Sequence, residues 1–191
     1  METTTTYFDK PGPENTDDVI RLAKARADAL GIKTVVLASN TGETAFKALA
    51  VFKGCKVISV SHVTGFREPD SQELTEENRR LITAKGGIAL TAAHAFGGLQ
   101  RALSREGTPT GLTTSMGDTI AMALRTFGHG TKVALEIVAM AADAGYVRTD
   151  EDCIAIGGSG RGADTALVIL PSPTHRFFNT KVREIICKPR L

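Results

Sequence analysis

Between residues 34 and 93 the chain alternates short β-branched runs with helical stretches, and this alternation constrains the fold more than any other feature. Strands are expected at Thr34–Ala38, Lys56–Val60 and Ile88–Ala93, with helices at Ala45–Phe52 and Thr75–Ala84 between them. Strands joined through helices of this length run parallel, with right-handed crossovers and both faces of the sheet covered. The fold class is therefore α/β. A preceding helix starts at Asn15 or Thr16, puts Val19, Ile20, Leu22, Ala23, Ala27 and Leu30 on one broad face and stops at Gly31, where glycine supplies the left-handed cap.

Further along come a loop with Gly97 and Gly98, a short helical stretch over Gln100–Arg105, and a connector, Thr108–Thr114, rich in Thr, Gly and Pro. A long helical region then runs from Met116 to Ala144, broken by Gly128-His129-Gly130. The last third reads differently: strands at Cys153–Ile156, Ala163–Leu170 and Glu184–Cys187 are separated by loops too short for helices. The mostly parallel sheet is therefore expected to end in an antiparallel edge at its C-terminal side. No repeat or long linker divides the chain, so residues 1–191 are read as one domain.

Charge and targeting signals narrow the function classes. With 23 basic against 21 acidic residues, a net charge of +2 and basic side chains scattered except near the C-terminus, no field argues for a nucleic-acid partner. The start lacks the basic and apolar regions of a signal peptide, and no apolar run approaches a bilayer span. A cytoplasmic protein without a membrane partner is expected. Cys55, Cys153 and Cys187 are odd in number and far apart, with no CxxC pair, so buried, inert thiols are expected rather than disulfides.

The chemistry gathers where the strands end. In open parallel sheets ligands bind beyond the carboxyl ends of the strands. Those ends read Ser39-Asn40-Thr41-Gly42, Ser61-His62-Val63-Thr64-Gly65-Phe66-Arg67, Ala93-His94-Ala95-Phe96-Gly97-Gly98 and Gly157-Gly158-Ser159-Gly160-Arg161-Gly162. The first, followed by Thr44 and a helix, has the character of a phosphate loop, since free N–H groups at a helix start and flanking hydroxyls favour a dianion; an ordinary helix cap reads the same way. Arg67 and Arg161 are available for an anion, and His62 and His94 are candidate acid–base groups or structural histidines.

The glycine loop matches a dinucleotide fingerprint at Gly158-x-Gly160-x-x-Ala163, but a β-rich run, Thr165–Leu170, follows where a helix must come. A nucleophile elbow fails because Arg161 stands where glycine is required. With no Walker A, HExxH or EF-hand pattern, no metal site is expected. Glu136 lies among apolar residues, as a buried catalytic carboxylate would, but Lys132 one helical turn back favours a surface ion pair. Met122 and Met140 have core spacing, His129 reads as a turn residue, and His175 is uninformative.

Together these residues resemble a family. Ser39-Asn-Thr-Gly-Glu-Thr-Ala resembles the S-T-x-S-G-x-T-A phosphate loop of the pyruvate kinase C-terminal domain. The wider set, H-V-T-G-F-R-E-P from His62, H-A-F-G-G from His94, R-T-F-G-H-G-x-K-V-A-L-E-I-x-x-M-A-A-D-A-G from Arg125 and G-G-S-G-R-G-A-D-T-A from Gly157, is similar to stand-alone proteins of the pyruvate kinase alpha/beta domain family. The resemblance implies a three-layer α/β/α sandwich with a mixed sheet, a sugar-phosphate effector loop, and flavin mononucleotide (FMN) in the cleft. On that reading Ser39, Asn40, Thr41, Gly42 and Thr44 hold the phosphate. His62, Thr64, Gly65, Arg67, His94, Phe96, Gly97, Gly158, Ser159, Gly160, Arg161 and Asp164 enclose the rest of the ligand, although Asp164 could equally hold its own loop through an Asx-type bond. Pyruvate kinase chemistry itself belongs to a barrel of about 250 residues, which 191 residues cannot contain. A phosphorylated ligand and a possible homo-oligomer are the expected partners. A flavin-dependent or hydrolytic enzyme using His62 or His94, and a non-catalytic regulatory or assembly domain, are the alternatives.

Overall fold

The computed structural model describes residues 2–104 and 113–190. Strand β1 (Thr6–Phe8) leads through a 3-10 turn to helix α1 (Thr16–Leu30). The expected alternation follows: β2 (Thr34–Ala38), α2 (Glu43–Val51), β3 (Lys56–Ser61), α3 (Glu76–Ala84) and β4 (Ile88–Thr91). Three helices come next, α4 (Leu99–Leu103), α5 (Met116–Arg125) and α6 (His129–Asp143). The chain closes with β5 (Cys153–Gly157), β6 (Thr165–Leu170), a 3-10 turn over Thr174–Asn179 and β7 (Lys181–Pro189). Arg105 and most of the Thr108–Thr114 connector lie outside the described residues.

All seven strands form one sheet in the order β1-β7-β6-β5-β2-β3-β4. Only β6 runs against the others, because β5 and β7 both pair with it antiparallel while every other pairing is parallel. The expected antiparallel edge is thus an interior strand. The edge belongs instead to β1, whose Thr6 and Phe8 register with Cys187 and Pro189. A three-residue strand in a Thr-rich stretch has too few positions to show a period of two, so nothing local announces it.

Alternation along β2 builds the three layers. Val35 and Leu37 face α1 and α2, meeting Val19, Ile20, Ala23, Ala45 and Ala48, while Val36 faces α6, meeting Ala134, Val138 and Ala141. Strand β5 divides in the same way, Ile154 and Ile156 to the first layer and Ala155 to the second. Met140 packs in that second core, but Met122 on α5 is half exposed, so its helical spacing marks no core. Cys153 and Cys187 are buried and free, whereas Cys55 is only half-buried.

The connections decide where a ligand can enter. From β2 the chain crosses to β3 through α2 on one face, while β2's other neighbour, β5, is reached through α6 on the opposite face. Loops leaving β2 and β5 therefore part above the sheet, and a crevice opens at this switch point.

Candidate functional site

A cavity of about 700 Å³ occupies this crevice. At its β2 side, Ser39 is buried and its hydroxyl accepts the Ala45 N–H at 3.3 Å. Gly42 caps α2 with φ 102°, a left-handed conformation that disfavours any side chain. From behind, the Asn78 side-chain amide donates to Thr41 O at 2.7 Å. Ser39 thus satisfies the third amide of the helix, and the Glu43 and Thr44 N–H groups belong to the first turn, where an α-helix offers no internal acceptor. Thr44 is itself buried and lines the cavity.

At the β3 and β4 ends, two histidines and a phenylalanine cluster, Phe66 and His94 stacked and His62 tilted to both. Ring centroids lie 4.1 Å apart for His62 and Phe66, 5.0 Å for Phe66 and His94, and 5.3 Å for His62 and His94. The Arg101 guanidinium lies 5.3 Å over Phe66. His62 Nδ1 is 2.7 Å from Glu73 Oε2, and Arg67 donates to Glu73 Oε1 at 3.1 Å. Burial raises the Glu73 carboxyl, but its hydrogen bonds from His62 and Arg67 outweigh that and hold it below its usual value. Burial pushes His94 down to about 4, with Glu136 opposing and His62, Lys132 and Arg101 reinforcing the shift. His94 is therefore neutral at neutral pH.

Helix α6 supplies the far wall. Lys132 and Glu136, expected as a surface pair, form an ion pair buried within the cavity lining, and Glu136 also accepts the Phe96 N–H at 3.2 Å. The two residues pair at i,i+4 as their spacing implies. Burial comes from the sheet and the Phe96 loop closing over that face, which helix periodicity cannot show. His129, the first residue of α6, lines the cavity beside Arg125 rather than serving only in a turn.

Packing within the protein demands much of the glycine loop after β5. A Cβ on Gly157 would overlap Gly130 O on α6, and one on Gly162 would overlap Pro13 and Thr16. The Thr16 hydroxyl, in turn, accepts the Ala163 N–H at 3.0 Å. Asp164 is fully buried and accepts the Ser159 N–H at 3.0 Å and the Thr165 hydroxyl at 2.7 Å. Its role is to brace the loop. Only Gly160 has open space around it, at φ 95°.

Of the residues singled out from sequence, Ser39, Asn40, Thr41, Thr44, His62, Arg67, His94, Gly158, Gly160 and Arg161 line the one cavity. Gly42, Thr64, Gly65, Phe96, Gly97, Ser159 and Asp164 stand outside its lining. Phe96 turns its ring edge-on to Phe177 instead, and Thr64 accepts a hydrogen bond from Gln72 at 3.3 Å. Sequence reasoning passed over Phe66, Glu73, Arg101, Arg125, Lys132 and Glu136 as wall residues. Among the described residues, no group of three or more His, Cys, Asp or Glu side chains could hold a metal ion. No described helix is long and apolar enough to cross a membrane.

The domain is a three-layer α/β/α sandwich with a polar cleft at the switch point of a mostly parallel sheet, the place where open α/β sheets commonly take ligands. The chain belongs to the family described as pyruvate kinase, alpha/beta domain, whose model matches residues 17–169. The match runs from the first turn of α1 to the penultimate residue of β6, so it spans the whole crevice.

Proposed function

We propose that the cleft binds a phosphorylated small molecule, FMN being the leading candidate. One observation carries this reading: the open first turn of α2 and an aromatic cluster of His62, Phe66 and His94, in which the Phe66 and His94 rings stack, face the same cavity. The first suits a dianion and the second a flat ring system. Arg101, Arg125 and Arg161 also line it, with no ion-pair partner among the described residues. A volume of about 700 Å³ falls within the range of ligand pockets. FMN itself is named because the motifs resemble those of the stand-alone family members, and a cytoplasmic location belongs to the same reading.

Calorimetry with FMN and riboflavin is the test. Loss of the phosphate removes charge-assisted hydrogen bonds worth about 1.5–3 kcal/mol each, so FMN is expected to bind at least tenfold more tightly. Equal affinities would take the phosphate away from the α2 loop. Transfer of phosphate from phosphoenolpyruvate to ADP is not expected of this chain, because the barrel that performs it has no room in 191 residues. The hydrogen bond between His62 Nδ1 and Glu73 favours an acid–base enzyme as the second reading.

A further inference from the structure

Asn40, in the loop after β2, and Glu73, ahead of α3, hold His62 through three hydrogen bonds. Its backbone N–H donates to Asn40 Oδ1 at 3.1 Å, which settles which end of the Asn40 amide is oxygen. The other end, Asn40 Nδ2, is then an N–H donor, and it lies 3.2 Å from His62 Nε2. A donor facing a ring nitrogen requires a lone pair there, so the proton of the neutral ring sits on Nδ1, facing the Glu73 carboxylate at 2.7 Å. The low-lying Glu73 carboxyl is ionised and suits the acceptor role. Nε2 thus carries a basic lone pair beside the cavity, covered by an amide N–H.

Asn40 belongs to the loop that leads into α2, beside the first-turn amides. An anion seated there competes for nearby donors, and among Ser39-Asn40-Thr41-Gly42 the side-chain N–H belongs to Asn40. Resting on the phosphate-binding reading above, we propose that His62 is the proton acceptor of the cleft, held as the Nδ1–H tautomer by Glu73 and masked at Nε2 by Asn40, and that an anion in the α2 loop draws the amide away and exposes the base.

The substrate class is then a phosphorylated small molecule with an ionisable O–H, N–H or activated C–H next to the ring stack. In the step itself, the bond from that atom to hydrogen breaks and its electron pair stays on the substrate. The proton forms the Nε2–H bond, and the imidazolium so made is stabilised by Glu73 through Nδ1–H. Asn40 and Glu73 are positioning residues in this scheme, and His62 alone exchanges the proton.

Nitrogen-15 NMR of the histidine rings, with His62→Gln to assign the resonance, tests each part using inorganic phosphate as the probe. Ligand-free protein is expected to show the Nδ1–H tautomer at His62; the Nε2–H tautomer would overturn the proposal. Phosphate is expected to move the His62 Nε2 resonance towards that of an unbonded nitrogen. In Asn40→Ala the resonance should already lie there and should not respond, whereas Glu73→Ala should mix the two tautomers. Calorimetry on the same samples separates the failures. Phosphate binding with no change at Nε2 would overturn the unmasking alone, and no phosphate binding at all would remove both the trigger and the binding reading beneath it.

Discussion

Lys132 and Glu136 form an ion pair inside the wall of the cleft, with side chains only 8% and 7% exposed. Such pairs add little stability when intact but cost much when broken, because the remaining charge stays buried. Lys132→Met is therefore expected to destabilise the protein by about 3–5 kcal/mol in urea denaturation. The double variant Lys132→Met/Glu136→Gln, which keeps an acceptor for the Phe96 N–H, should recover most of that loss. An equally unstable double variant would show that packing, not charge, sets the cost.

His94 gives stability a pH dependence of defined sign. Its pKa falls from 6.5 to about 4 on folding, so between those values the unfolded chain binds more protons than the folded one. Stability must then fall as pH falls through that window, by on the order of 1–3 kcal/mol. His129 is also pushed down, by partial desolvation and then by Arg125 and Lys132, and adds in the same direction. Chemical denaturation from pH 7 to 4.5 should show this decline, and His94→Gln should flatten most of it. An unchanged slope in that variant would assign the dependence elsewhere.

Close backbone approach at Gly157 makes a sharper prediction. Gly157→Ala is expected to cost about 3 kcal/mol, since the obstacle is the Gly130 carbonyl and not a side chain that can swing aside. Gly160→Ala meets no neighbour, and its left-handed φ of 95° should cost only about 1 kcal/mol. Thermal or urea unfolding ranks the two, and the opposite order would contradict the packing described for the α6–β5 contact.

Arg161 stands at the open tip of the same loop, exposed and lining the cavity. Arg161→Ala is expected to weaken FMN binding by roughly 1–3 kcal/mol while the ligand-free melting temperature hardly moves. Retained affinity with a lowered melting temperature would make the whole loop a structural one.

Periodicity and punctuation carry the architecture of this chain at the level of sequence. The β2–α2–β3–α3–β4 succession, the Gly31 stop and the break at Gly128 are all legible because each depends on residues within a few positions of one another. Carboxyl-end loops stand out as the candidate site for the same reason: parallel strands bring their ends to one edge whatever their neighbours are. Burial and pairing between distant residues follow a different rule. That Glu73 orients His62, that Glu136 and Lys132 lie in the cavity wall, and that Gly157 serves α6 more than a ligand depend on elements 11 to 40 residues apart being pressed together. The parallel β1 edge is the extreme case, since three residues at the start of the chain find their partner at Cys187–Pro189. Local pattern determined which elements form; the sheet order and the packing around it, which place distant charges in a low-dielectric cleft, decided what the side chains between them do.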